Sequence, residues 1–249
     1  MFTRRNVFLA LIGIGAGTTE DVLSAGSPQL VTAHLTSATL EIHNSVRVAP
    51  DSAIKPGGTQ QLVLEEVPAP AAPGTMRVIH HSGTTTNYFI DTLVFKRVGL
   101  APIWEHLYQV STTRNRKMTR MITYHGTSAE VVTQSNDSAA RTDTIRFVAP
   151  PFGFNQLEQV LQSVPHREGY HAVVALYSEG DNAQELDTIS VLGRSSDGKG
   201  WKVRFADRVF SAVYVVDATT RHLLSSESKA QKPGPMVAYS EITTSSPKP

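Results

Sequence analysis

Hydrophobic and polar residues alternate with a period of two along most of this chain, with turn residues roughly every 8–15 positions. This pattern is typical of half-buried strands in an antiparallel sheet. Proline supplies one clear break, PAPAAPG at 68–74, since it cannot donate to a ladder. The apolar phase shifts between Ile90 and Leu93, which predicts a bulge near Asp91. The alternation predicts strands at 30–48, 61–67, 75–81, 87–97, 103–110, 118–124, 129–133 and 142–148, then at 170–177, 186–192, 201–205, 210–216, 221–226 and 236–243.

One segment, residues 155–164, changes to the helical period. Its apolar residues stand at the i, i+3, i+4 and i+7 positions that form one face of an amphipathic helix: Leu157, Val160, Leu161 and Val164. Asn155 can cap the start, Glu158 completes a capping box, and Pro165 ends the segment. We expect this helix to lie across an open face or end of the sheet and to close the core there.

The N-terminal residues follow the order of a secretory signal. Arg4 and Arg5 precede the uncharged run VFLALIGIGAG at 7–17, and small residues come next. This run is shorter than the ~20 apolar residues that span a bilayer, so we expect cleavage rather than anchoring. The cut is expected between Gly17 and Gly26. The paired arginines also fit a twin-arginine signal, so both export routes stay open.

These boundaries predict three parts: a signal peptide at 1–26, a single β domain at 27–244 and a disordered tail at 245–249. The mature protein is expected to be periplasmic or secreted and not to span a membrane. No cysteine is present, which excludes disulfides, thiol nucleophiles and a lipidated cysteine at the cut. The formal charge is +1, so no basic excess exists to neutralise phosphates, and nucleic acid is not an expected partner.

No sequence motif for catalysis stands out. Among nine histidines, His80 and His81 are adjacent and so point to opposite faces of a strand, and no H-E-x-x-H occurs. The run GIGAG at 13–17 is followed by Thr18, where the G-x-G-x-x-G motif of a nucleotide site needs its third glycine. The βαβ context of such a site is also lacking. No carboxylate pair stands out as placed for acid–base work. We therefore predict no cofactor and no metal, with a hydrolase using a dispersed triad or a histidine metal site as an alternative.

A first set of strands, a short amphipathic helix and a second set of strands follow one another in an order that resembles a known bacterial group. The segment LEQVLQSVPHREGY at 157–170 precedes the strand AVVALY, and Gly193, the strand WKV at 201–203 and the unit DATTRHLL at 217–224 follow. In this order the chain resembles exported domain-of-unknown-function proteins of the LolA/LppX-like half-barrel superfamily. The resemblance covers roughly residues 30–230 and rests on structural motifs.

The resemblance implies a mainly β fold: a strongly curved antiparallel sheet, or half-barrel, with the short amphipathic helix packed on its concave face. LolA-like members hold acyl chains or other amphiphiles on that face. The implied function is a non-catalytic binding or carrier module for an amphiphilic or lipid-like ligand, or for a cell-envelope partner. A structural scaffold with a filled core is a further alternative. Aromatic and helix residues are the candidate cavity residues: Tyr88, Phe95, Trp104, Leu157, Val160, Leu161 and Trp201.

Overall fold

The chain folds into one large, curved sheet that does not close. Two antiparallel meanders form this sheet, one before and one after a short α-helix. The prediction of a mainly β chain with one short helix is confirmed for the part of the chain that the structure describes. The structure is a computed structural model, and it describes residues 22–47, 53–68, 73–178, 182–208, 210–230 and 237–245.

The first meander runs from β2 to β9, and each strand pairs antiparallel with the next. In β5, Leu93 and Phe95 are buried at alternate positions, as expected where one sheet face packs on the core. Short 3-10 turns at Val98–Leu100 and Thr112–Arg114 follow β5 and β6. The strands are β2 (Ala38–Arg47), β3 (Lys55–Glu66), β4 (Thr75–Gly83), β5 (Asn87–Lys96), β6 (Pro102–Ser111), β7 (Arg116–Tyr124), β8 (Ser128–Ser135) and β9 (Arg141–Arg146).

The second meander continues the same sheet. Its strands are β10 (His171–Ser178), β11 (Ala183–Arg194), β12 (Gly200–Ala206), β13 (Phe210–Asp217), β14 (Leu223–Ala230) and β15 (Val237–Ser245). The last strand, β15, pairs antiparallel with β2 and so joins the two meanders. A two-residue strand, β1 (Val22–Leu23), runs parallel to β10. Within the described ranges, β1 and β9 are therefore the two ends of the sheet.

The curvature brings distant strands of the sheet into contact. The centroid of the Tyr177 ring in β10 lies 6.3 Å from the centroid of the Tyr124 ring in β7. The same tyrosine lies 6.2 Å from the ring of Phe147, just after β9. Both contacts are edge-on, a favourable arrangement for aromatic rings. The two meanders therefore share one hydrophobic core, which includes all three of these rings.

The helix lies in the connection between β9 and β10. A 3-10 turn at Phe154–Gln156 leads into α1 (Leu157–Ser163). Val160 and Leu161 of α1 are fully buried in the core. The guanidinium of Arg221 donates a 3.0 Å hydrogen bond to the Gln162 carbonyl, one of the last carbonyls of the helix. In the described part of the chain, no helix has both the length and the apolarity needed to cross a membrane.

The predicted side-chain cap of this helix is wrong. No side-chain cap bond is present at the start of α1. Asn155 instead donates a 2.6 Å hydrogen bond from Nδ2 to Oδ2 of Asp91 in β5. The side chain of Gln156 accepts a 3.0 Å bond from the Gly153 N–H. The Asn155 side chain therefore makes a tertiary contact to β5 in place of a helix cap, and hydrogen bonds to a carboxylate are among the strong ones.

The N-terminal boundary of the fold differs from the predicted one. Residues 1–21, which hold most of the predicted leader, lie outside the described residues, as do residues 246–249 of the predicted tail. Leu23 of β1 is buried in the core. The Gly26 N–H donates a 2.7 Å bond to the Gly99 carbonyl. The folded domain thus includes residues 22–26, which the sequence analysis placed in the leader.

Candidate functional site

A cavity of about 220 Å³ lies between the start of α1 and strands β10 to β13. Its apolar wall comes from Leu157 of the helix, Leu176 of β10, Phe205 of β12 and Phe210 of β13. The two phenylalanine rings lie 5.7 Å apart at an interplanar angle of 50°. Because their strands are neighbours in the sheet, these side chains form one continuous apolar surface.

Carboxylates line another part of this cavity, and Asn155, Tyr177 and Ser178 complete its lining. Glu185 and Asp187 project from β11, and Asp207 follows β12. Glu185 forms a 3.3 Å ion pair with Arg208. One Asp207 oxygen accepts a 2.7 Å hydrogen bond from the Phe210 N–H, which holds the turn between β12 and β13. The cavity therefore has an apolar wall and an acidic wall.

Asp187 is the most deeply buried of these carboxylates, at 6% exposure. It occupies the core-facing phase of β11, in line with the buried Ile189 and Val191. Within the described residues, no hydrogen bond or ion pair reaches its carboxylate. Burial, followed by the charges of Glu185 and Asp207, raises the pKa of Asp187 to about 7, and the charge of Arg208 opposes the rise.

Glu158 enters the cavity from the first turn of α1. Burial raises the pKa of its carboxyl, while His80 in β4 opposes the rise. Burial, followed by the charges of Glu158 and Asp207, raises the pKa of Tyr214 in β13. Strands of both meanders therefore influence one helix carboxylate.

A second group of buried carboxyls lies next to the cavity. Asp91 in β5 and Glu105 in β6 are diagonal neighbours on the core-facing side of their strands. The Tyr124 hydroxyl donates a 2.6 Å bond to Glu105, and Asn155 bonds to Asp91. Burial and the charge of Asp91 raise the pKa of Glu105 well above its ordinary value, while the hydrogen bond from Tyr124 opposes the rise. Burial and a neighbouring like charge both favour the neutral form of a carboxyl, so Glu105 stays protonated to a higher pH than an exposed glutamate.

The chain packs closely against this carboxyl pair at Gly153. Gly153 approaches so tightly that a Cβ there would lie 3.0 Å from the Leu93 side chain and 3.3 Å from the Glu105 carboxylate.

Two residues connect the carboxyl pair to the cavity. Asn155 lines the cavity and binds Asp91, while Tyr177 lines the cavity and packs on Tyr124. The pair is therefore the support behind one wall of the cavity.

The seven sequence-predicted cavity residues are dispersed. Leu157 lines the cavity. Phe95, Val160 and Leu161 are fully buried in the packed core, so their side chains fill space rather than border it. Tyr88 lies in a surface groove near the tips of β4 to β6.

The two predicted tryptophans lie elsewhere. Trp104 is half-buried on the face of β6 opposite to Glu105. Trp201 in β12 packs against the core edge, with the Arg194 guanidinium 4.2 Å above its ring and the His166 ring 6.5 Å away. Neither tryptophan is part of the cavity wall described above.

The hydrolase alternative requires a histidine between an acid and a hydroxyl. His43 lies 3.8 Å from a Glu41 oxygen and 3.4 Å from the Thr59 hydroxyl, on the exposed surface of β2 and β3. His171 Nδ1 and the Ser190 hydroxyl are 2.8 Å apart, with His171 exposed. Neither histidine lines the cavity. Among the described residues, no group of three or more histidine, aspartate or glutamate side chains is arranged to hold a metal ion.

The sequence carries a signal for one of these carboxyls. Asp187 stands in the same phase of its strand as Ile189 and Val191, where the alternation places buried side chains. The predicted bulge near Asp91 is wrong. The register is regular there, and it shifts between Val94 and Phe95 instead. Asp91 is a charged residue at a core-facing position, and in the sequence such a residue resembles a change of phase.

Comparison with protein-family models and with curated proteins finds no match for this chain.

Proposed function

We propose that this chain is an exported, non-catalytic binding module that holds an amphiphilic ligand in the cavity beside α1. The observation that carries the proposal is the division of the cavity into an apolar and an acidic wall. Such a surface complements a molecule with a hydrocarbon part and a polar head. A small-molecule ligand is favoured over a cell-envelope protein partner, because the candidate surface is concave.

The finer architecture forms part of the same proposal. We propose a half-barrel with α1 on its concave face, as in the LolA/LppX-like carriers that the sequence resembles. Contacts from both meanders to the helix segment support this arrangement. Asp91 of β5 holds Asn155 at one end of the segment, and Arg221 after β13 holds Gln162 at the other.

Export through the predicted leader is also proposed, with the cut before Val22. A cut after Gly26 would remove β1, the buried Leu23 and the bond from Gly26 to Gly99. Burial of one leucine side chain is worth about 1.5–3 kcal/mol. A cut after Gly17 keeps all of these contacts.

Native mass spectrometry of the protein purified from a bacterial cell envelope tests the binding proposal. We expect a species heavier than the chain by the mass of one amphiphile, which organic extraction removes and identifies. The same spectrum gives the mass of the mature chain, which should retain Val22. A protein that carries no ligand and binds no added amphiphile would overturn the proposal.

A cavity-filling variant locates the ligand. Ser178 at the end of β10 lines the cavity, so Ser178→Leu should abolish the bound mass by occupying its space. Ser128→Leu is the matched control, because Ser128 is a half-buried serine at the start of β8. The control should keep the ligand. Retention of the ligand by Ser178→Leu would contradict the cavity assignment.

A further inference from the structure

We infer that the ligand carries a cationic amine head group, which pairs with the buried carboxylate of Asp187. This inference rests on the proposed function, since it specifies the chemistry of the same cavity. It goes further because a general amphiphile carrier could accept anionic, neutral or cationic heads alike.

Asp187 is the first observation. Its side chain lies in the cavity wall at 6% exposure, and no hydrogen bond or ion pair reaches it within the described residues. Buried carboxylates in proteins are normally paired or hydrogen-bonded, because an isolated buried charge is costly. A donor that enters the cavity with a positive charge would supply the missing partner.

The surrounding charges are the second observation. Glu158, Glu185 and Asp207 share the cavity with Asp187. The Arg208 guanidinium is paired with Glu185, and its charge also acts on Asp187, where the neighbouring carboxylates Glu185 and Asp207 each have a larger effect. On the helix side, Glu158 faces His80 and Tyr214. The local field therefore favours a cation and repels an anionic head.

Size and aromatic lining limit the ligand further. A volume of about 220 Å³ holds roughly seven water-sized groups at about 30 Å³ each. The cavity therefore fits a short alkylamine or one end of a longer amphiphile. The rings of Phe205 and Phe210 lie in the same wall, and aromatic faces attract ammonium groups.

Calorimetric titration of the whole protein with three six-carbon probes at pH 8 tests the inference. The probes are hexylammonium, hexan-1-ol and hexanoate, which share a chain and differ in head-group charge. We expect hexylammonium to bind at least tenfold more tightly than hexan-1-ol, and hexanoate to bind most weakly. Circular dichroism confirms that each sample is folded.

Asp187→Asn removes the charge at nearly constant shape. It should weaken hexylammonium binding at least tenfold and leave hexan-1-ol binding within twofold. The matched control is Asp137→Asn, which changes an exposed aspartate in the turn after β8. It should leave both affinities unchanged.

The possible failures are distinct. Equal binding of hexylammonium and hexan-1-ol, or an Asp187→Asn protein that keeps full hexylammonium affinity, would overturn the cationic head and leave the cavity-binding function standing. A folded protein that binds none of the three probes would overturn both. Selective hexylammonium binding that depends on Asp187 supports both.

Discussion

Core-facing carboxyls occur in two regions of this protein, and the two regions treat them differently. Asp91 and Glu105 face each other across β5 and β6, with donors from Asn155 and Tyr124 and tight packing around them. Asp187 faces a cavity, and no partner reaches it within the described residues. The first region is held within the fold by these bonds and contacts, whereas we propose that the second accepts a group from outside.

The comparison shows that a shifted pKa does not by itself identify a binding site. Burial raises the pKa of both Glu105 and Asp187. The two carboxyls differ in whether a hydrogen-bond donor of the described residues reaches them. Glu105 accepts a hydrogen bond from the buried Tyr124 hydroxyl and packs closely against Gly153. Asp187 has space in front of it and other carboxylates around it.

Truncation of the carboxyl pair should produce the largest effect. We expect Glu105→Ala to lower the free energy of unfolding by about 3 kcal/mol, because it opens a void and leaves the buried Tyr124 hydroxyl without its acceptor. At this chain length the melting temperature should fall by about 6–12 °C. Calorimetry at pH 7 measures both quantities.

An exposed glutamate provides the control. Glu130 lies exposed on β8, and Glu130→Ala should change stability by less than about 0.5 kcal/mol. If Glu105→Ala unfolded no more easily than this control, the structural role of the pair would be refuted.

Asp187→Asn should raise the free energy of unfolding, and the size of this increase should depend on pH. The folded-state pKa of about 7 lies above the ordinary value of 3.8, so the folded protein holds this proton more firmly than the unfolded chain does. The stability gained from that proton is lost as pH rises from about 4 through 7. We therefore expect the stabilisation by Asp187→Asn to grow by about 2 kcal/mol between pH 5 and pH 8.

Urea denaturation of the variant and the wild type at the two pH values measures this change. Other titrating groups, including Glu158 and His166, are common to both proteins and cancel in the difference. Asp137→Asn serves again as the exposed control and should show no growth with pH. A constant difference between Asp187→Asn and wild type would show that Asp187 titrates like an exposed aspartate.

The smallest effect comes from the two tyrosines that join the regions. Tyr124→Phe removes the donor to Glu105 and should cost about 1 kcal/mol, because the acceptor stays buried. Tyr177→Phe removes a bond to Asn182, which is half-buried, and should cost less because water can replace the hydroxyl. Thermal unfolding of both variants measures which of them loses more stability. The reverse order would place the stronger polar network beside the cavity instead of at the carboxyl pair.

Local patterns predicted the positions of the secondary structure well. The predicted strand at 87–97 corresponds to Asn87–Lys96, and that at 118–124 corresponds to Arg116–Tyr124. Alternation reports which side of a strand is buried, and this depends on adjacent residues alone. The helix was predicted at 155–164 and occupies Leu157–Ser163. Among the strands of the described residues, β1 is the one that the alternation does not predict, because its two residues fall in the predicted leader.

The candidate site was predicted far less completely. Leu157 was identified, and it does line the cavity. Asp187 was present in the alternation as a charge in an apolar phase, and attention to that phase would have identified it. The side chain of Asn155 could not be placed, because its partner Asp91 is 64 residues away.

The sequence by itself determined that this protein is mainly β and where most of its strands and its helix lie. These properties follow from local periodicity and turn chemistry. Only the tertiary structure decided that β15 joins β2 and that Asp91 lies beside Glu105. It also decided that no hydrogen bond or ion pair within the described residues reaches Asp187. Those outcomes depend on which distant strands meet and how closely they pack, and period-two alternation is the same for every strand order.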